Sequence, residues 1–155
     1  MEAYAPCRTV TGDLVLERTD LTDLAALSEL RSVTGALTIR GNARLRNLNG
    51  LDHLARVGSL ELRSNGLYGT RGLESLREVG RLVIADNSLL ISLNGFRNLV
   101  HVETLLVSHN PRIAAQLGLF PSLSRVERTL TLHANLGLSR NDVAHLLARV
   151  RGVRP

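Results

Sequence analysis

Valine recurs at Val10, Val33, Val57, Val79, Val102 and Val126, at intervals of 23, 24, 22, 23 and 24 residues. Three or four residues after each valine comes an apolar–x–apolar pair. The pairs are Leu14/Leu16, Leu37/Ile39, Leu60/Leu62, Leu82/Ile84, Leu105/Val107 and Leu130/Leu132. Such alternation is a short strand with one buried face. A strand every 23 residues or so, with no room for a hairpin return, predicts a parallel stack of six coils.

Three residues beyond each pair stands an amide: Asn42, Asn65, Asn87, Asn110 and Asn135, with Thr19 in coil one. A carboxamide offers two donors and an acceptor. Buried at a bend, it can bond backbone N–H and C=O groups of adjacent coils that would otherwise be orphaned. These five residues read as a structural asparagine ladder.

The other side of each coil has a different period. Leu21, Leu24, Leu27, Leu30 and Val33 run in steps of three, as do Leu45, Leu48, Leu51, Leu54 and Val57, and Leu90, Leu93, Phe96, Leu99 and Val102. On an α-helix a three-residue step slips by about 60°, so such residues would smear around the cylinder. Steps of three fit 3₁₀ turns or short irregular segments laid against the core. Coil three departs by putting Thr70 between Leu67 and Leu73. Coil five carries an extra residue and predicts a bulged corner near Pro111–Gln116. After Leu138 the pattern becomes helical. Ser139 and Asp142 form a capping box, and Val143, Leu146, Leu147 and Val150 an apolar face. The expected organisation is an N-terminal segment 1–8, a six-coil leucine-rich-repeat solenoid 9–138, and a C-terminal capping helix with tail 139–155.

Composition removes several chemistries. All 19 basic residues are arginine, which excludes Schiff-base lysines and a Walker loop. Aromatics are 3%, too few for a stacking platform, so nucleic acid is a disfavoured partner despite the net charge of +5. No apolar stretch is long enough to span a membrane. Residues 1–7 lack the basic and apolar regions of a leader peptide, which fits either a cytosolic protein or a surface protein whose leader is missing here. The single cysteine, Cys7, reads as a small buried residue capping coil one, with a lipid-attachment site or a reactive thiol as alternatives.

The segment Cys7-Arg-Thr-Val10-Thr-Gly-Asp-Leu14-Val-Leu16 resembles the opening of the receptor L domains found in insulin and epidermal-growth-factor receptors. Thr34-Gly35-Ala36-Leu37-Thr38-Ile39-Arg-Gly-Asn42, Leu48-Asn49-Gly50-Leu51 and Ser92-Leu93-Asn94-Gly95-Phe96 are similar to bacterial L-domain-like repeats. The resemblance implies a right-handed, parallel β-helix-like solenoid acting as an extracellular or cell-surface binding module. In that family the first cysteine commonly forms a disulfide, whereas Cys7 has no second cysteine to pair with.

No zinc, redox, hydrolase or dinucleotide motif occurs, and no cofactor is implied. His53, His101, His109, His133 and His145 sit in different phases, with His109 and His133 the nearest to a pair, and they read as surface residues. Glu29, Asp52 and Glu74 share one phase and precede Arg31, Arg56 and Arg77, an arrangement expected to form a solvated ladder of acid–base pairs. The expected function is therefore non-enzymatic recognition of a protein or glycan, with an intracellular, cytoplasmic scaffold or a self-associating structural protein as the alternative.

Strand alternation selects a candidate face. The residue between each inward pair must point out. That column reads Val15, Thr38, Glu61, Val83, Leu106 and Thr131, and the next reads Glu17, Arg40, Arg63, Ala85, Ser108 and His133. Six strands about 4.8 Å apart make a strip roughly 25 Å long. Val83 and Leu106 would form an apolar centre with Arg40, Glu61 and Arg63 as a polar rim, the layout of a modest protein contact or a homodimer seam.

Overall fold

The computed structural model of the chain describes residues 7–115 and 118–153. It is a parallel solenoid. Strands β1 (Thr9–Val10) and β2 (Leu14–Glu17) form the first rung, followed by β3 (Ser32–Arg40), β4 (Arg56–Arg63), β5 (Glu78–Ala85), β6 (His101–Ser108) and β7 (Arg125–His133). Every pairing is parallel and joins successive rungs, so six rungs are linked by five turns. The register matches the repeat, with Leu14, Leu37, Leu60, Leu82, Leu105 and Leu130 side by side.

The core is almost wholly aliphatic. The paired leucines, isoleucines and valines of rungs two to five are buried, while Leu14, Leu16, Leu130 and Leu132 at the ends are only partly covered. Phe96 and Phe120 pack with ring centroids 5.8 Å apart.

The three-residue period on the return side is a succession of tight turns. Amide N–H groups of Leu27, Leu30, Leu51, Leu54, Leu76, Phe96, Leu99 and Leu123 each donate to the carbonyl three residues before. Two of these turns are full 3₁₀ segments, Ala25–Leu27 and Asn94–Phe96. Glycine is required where coils meet most closely. Gly50 and Gly72 adopt φ of +107° and +109°, and a Cβ there would strike the carbonyls of Leu24 and Leu48.

Asn42, Asn65, Asn87 and Asn110 each join three coils, and Asn135 joins the last two. The side-chain amides of Asn42, Asn65, Asn87, Asn110 and Asn135 donate to the carbonyls of Leu16, Ile39, Leu62, Ile84 and Val107 at 2.8–3.0 Å. Their oxygens accept the backbone N–H of the amide-position residue one coil earlier, from Thr19 to Asn110. The residue before each is held at left-handed φ: Arg18, Gly41, Ser64, Asp86, His109 and Ala134, all between 49° and 69°.

In coil three the buried Thr70 takes a leucine phase, and its Oγ1 accepts the Gly95 N–H at 3.1 Å. Coil three is also one residue shorter between Asn65 and Leu67 than coil two is between Asn42 and Leu45. Gly66 closes the shortened corner, and Arg46 donates to its carbonyl at 3.1 Å while lying over the Tyr68 ring. In coil five Pro111 and Arg112 form a turn, but the far side of that expected bulge, including Gln116, lies outside the described residues.

Helix α1 (Arg140–Arg149) closes the last coil. Ser139 Oγ accepts the Asp142 N–H, and the Asp142 carboxylate accepts the Ser139 N–H, which is the expected capping box. Leu146 is buried, but Leu147, expected on the apolar face, is exposed, because this short helix meets the core along a narrower stripe. Arg149 supplies what the sequence did not advertise: its guanidinium donates to the carbonyls of Leu119, Phe120 and Pro121. Beyond the helix, Arg151 pairs with Arg125 and extends the stack at one end of β7. The N-terminal segment 1–6 lies outside the described residues. Cys7 is exposed rather than buried, lying at the edge of the described sheet where no described rung covers it. Among the described residues no helix is long and apolar enough to cross a membrane.

Candidate functional site

The outer face of the sheet presents both expected columns in register. Val15, Thr38, Glu61, Val83, Leu106 and Thr131 are successive strand partners, and so are Glu17, Arg40, Arg63, Ala85, Ser108 and His133. Strand alternation places them opposite the core pairs, and none of them belongs to the apolar core cluster.

The upper half is ionic. Arg40 Nη2 lies 2.6 Å from Glu17 Oε1, across the first two rungs. Arg63 reaches Glu61 Oε1 with Nε at 3.0 Å and Asp86 Oδ2 with Nη1 at 3.0 Å, so one guanidinium ties rung three to rung four. The Arg40 hydrogen bond holds the Glu17 carboxyl below its ordinary range, with residual desolvation opposing and the charges of Arg40 and Arg18 assisting. Arg40 is correspondingly pushed up by Glu17. Exposed pairs of this kind add little stability. Their effect is to fix the positions of long side chains before any ligand arrives.

The lower half is apolar and hydroxylic, and here the expected surface needs correction. Val83 is only 2% exposed, so it is not an open contact residue. It stands between Glu61 and Leu106 in register, a shorter side chain flanked by two longer ones. Leu106 and Thr131 are half-buried, and Val15, at 57% exposure, is the one open apolar side chain in the column. Ala85 and Ser108 are buried as well. The contiguous apolar centre thus shrinks to Leu106 with its flanking hydroxyls.

Beside this face runs the left-handed column, which the sequence reading missed. It brings Asp86 to Arg63, and it brings His109 against His133, their rings edge to face at 5.0 Å. The signal was available as the position preceding each ladder asparagine. Among the described residues no group of three or more His, Cys, Asp or Glu side chains is placed to hold a metal ion.

The expected acid–base ladder on the return side does not form. Asp52 Oδ2 accepts the Gly50 N–H and Glu74 Oε2 the Gly72 N–H, both at 2.8 Å, and these turn amides make no backbone hydrogen bond. Glu29 lies 3.9 Å from Arg8 rather than pairing with Arg31.

No curated protein and no solved structure matches the chain. Residues 6–70 match the family model of the receptor L domain, a span that takes in the first two coils and ends within the third. With its parallel sheet and tight-turned return side, the chain is a leucine-rich-repeat solenoid whose N-terminal coils are similar to the receptor L domain.

Proposed function

We propose that this chain is a non-enzymatic recognition module that binds a protein partner through the outer face of its sheet, at the cell surface. The receptor L domain is a ligand-binding family and not a catalytic one. The observation that carries the reading is the face itself: six strands in register, with side chains at Glu17, Arg40, Glu61, Arg63 and Asp86 already locked by one another. A pre-ordered ionic half beside a half-buried leucine gives the rim and centre of a modest protein contact. Thr38 and Thr131 supply hydroxyls at either end. An extracellular setting follows the usual place of receptor L domains.

Amide hydrogen exchange, recorded on the full chain alone and with a co-purified partner from native material, tests the face. Protection is expected over rungs two to five, together with loss of the partner from a folded Arg40→Glu, Leu106→Glu variant. Protection confined to the return side, with binding intact in that variant, would overturn the reading.

A further inference from the structure

The positive charge is concentrated at one end of the chain. Residues 124–155 carry six arginines and two carboxylates, Glu127 and Asp142, whereas residues 1–123 carry thirteen arginines and twelve carboxylates. Four of the five net charges therefore lie in a segment that holds the last rung and the capping helix. Stacking does not call for arginine there, since the repeat rests on its leucines, asparagines and glycines.

Two of these arginines are set side by side. The Arg151 N–H donates to the Ser124 carbonyl at 2.9 Å and the Val126 N–H to the Arg151 carbonyl at 3.0 Å, so Arg151 lies opposite Arg125 in a parallel bridge. Residues paired in this way send their side chains to the same face from backbones about 4.8 Å apart, and like charges so placed repel each other. Glu127 Oε1 lies 3.3 Å from Arg125 Nη2 and 3.1 Å from His101 Nε2, so one carboxylate is divided between two partners. Arg151 makes no ion pair among the described residues. A third guanidinium, that of Arg149 in the last turn of α1, is pinned by the carbonyls of Leu119, Phe120 and Pro121. It supplies a fixed charge more than free N–H groups.

Ser124, Arg125, Arg149, Arg151 and Gly152 line an open depression of about 630 Å³, and no carboxylate lines it. All five residues are exposed. Gly152 adopts φ of +96°, and a Cβ there would strike the Val126 carbonyl, so this wall is bare backbone.

We propose that this depression binds a doubly charged tetrahedral oxyanion, phosphate or sulfate, free or as the terminal group of a larger ligand. The Arg125 and Arg151 forks have N–H groups to spare and match such an anion in bidentate fashion. The Ser124 hydroxyl, held only by a 3.4 Å bond to the Val100 carbonyl, adds a further donor. An anion between the two forks relieves their repulsion, and the fixed Arg149 charge strengthens the local field. A dianion balances more of this cluster than a single carboxylate does. The site lies at the opposite end of β7 from Thr131 and His133, so its test is independent of protein binding on the outer face.

Titration of the full chain with inorganic phosphate at low ionic strength, followed through the arginine Nε–Hε signals by NMR, reads the site directly. The Arg125 and Arg151 signals are expected to move together with one saturable affinity, while those of Arg44 and Arg97 stay in place. Sulfate should give the same pattern, and acetate should bind at least about tenfold more weakly. Arg125→Ala with Arg151→Ala should weaken phosphate binding by at least about tenfold, against less than about twofold for Arg44→Ala with Arg97→Ala. Vesicles of phosphatidylcholine carrying phosphatidic acid separate the two sources of phosphate. Sedimentation with them that is lost in the Arg125, Arg151 variant assigns a lipid headgroup; phosphate binding without sedimentation assigns a soluble ligand. No saturable shift, acetate as tight as phosphate, or equal losses in the two double variants would each overturn the proposal. The side-chain signals need no variant, so they decide alone if the double variant fails to fold.

Discussion

The side-chain oxygen of Asn110 accepts the backbone N–H of Asn87 at 3.0 Å, and Asn87 in turn accepts that of Asn65 at the same distance. Asn87 also donates to the Leu62 carbonyl at 3.0 Å and to the Asn110 side-chain oxygen at 3.2 Å, so one buried side chain serves the coils on both sides. Replacing it by alanine leaves the Asn65 N–H buried without its partner. Asn87→Ala is expected to cost at least about 2 kcal/mol, while exposed Arg97→Ala stays within about 0.5 kcal/mol. Asn42→Ala should fall between them, because its acceptor role serves the half-buried Thr19. Denaturant midpoints check the order, and equal shifts at positions 87 and 97 would refute it.

Thr70 holds a leucine position with a hydroxyl, and that hydroxyl accepts the Gly95 N–H. Thr70→Val keeps the shape and removes the acceptor. A loss of about 1–3 kcal/mol is expected from the orphaned amide. Stability equal to or above that of the parent chain would show that the hydrogen bond is dispensable.

Val83 and Leu106 are register partners on the outer face with different exposure. Glutamate at position 83 must be placed under its neighbours without a partner, at a cost on the order of 3 kcal/mol. Glutamate at position 106 can turn to water and should cost under about 1.5 kcal/mol. Urea denaturation of the two single variants separates them; matched losses would contradict the assigned burial.

The capping carboxylate Asp142 titrates below its ordinary range, held there first by the Ser139 N–H and then by its hydroxyl, with His145 adding a smaller contribution. Its folded value is lowered, so its stabilising effect is complete above the pKa of an unfolded aspartate and disappears as pH falls through the folded value. Carboxyl carbon shifts followed by NMR should give a midpoint below that of a free aspartate, and Ser139→Ala should move it back up. An unshifted midpoint would mean that the box is open in solution.

What was legible in the sequence was whatever burial forces to repeat. Leu60/Leu62, Leu82/Ile84 and the asparagines recur because each coil meets the same neighbours, and stacking tolerates few alternatives. The left-handed column was hidden because the bend dictates its backbone and leaves its side chains free, so Arg18, Ser64, Asp86 and His109 share no chemistry. Alternation also fixed the direction of Val83 without revealing what lies over it. The pairing of Asp52 with Arg56 failed for a related reason: on an irregular segment, nearness in sequence does not decide between a guanidinium and a turn amide, and the amide at Gly50 is the closer.

Each rung rests only on the rungs beside it, and the terminal leucines are the least covered. A stack of this kind opens like a zipper, from its ends inward, and its amides should exchange in that order. The Glu17–Arg40 contact spans the first opening step. A ligand seated across rungs one to three would therefore act as a clasp, and the slowing of exchange at the first rung would report its residence.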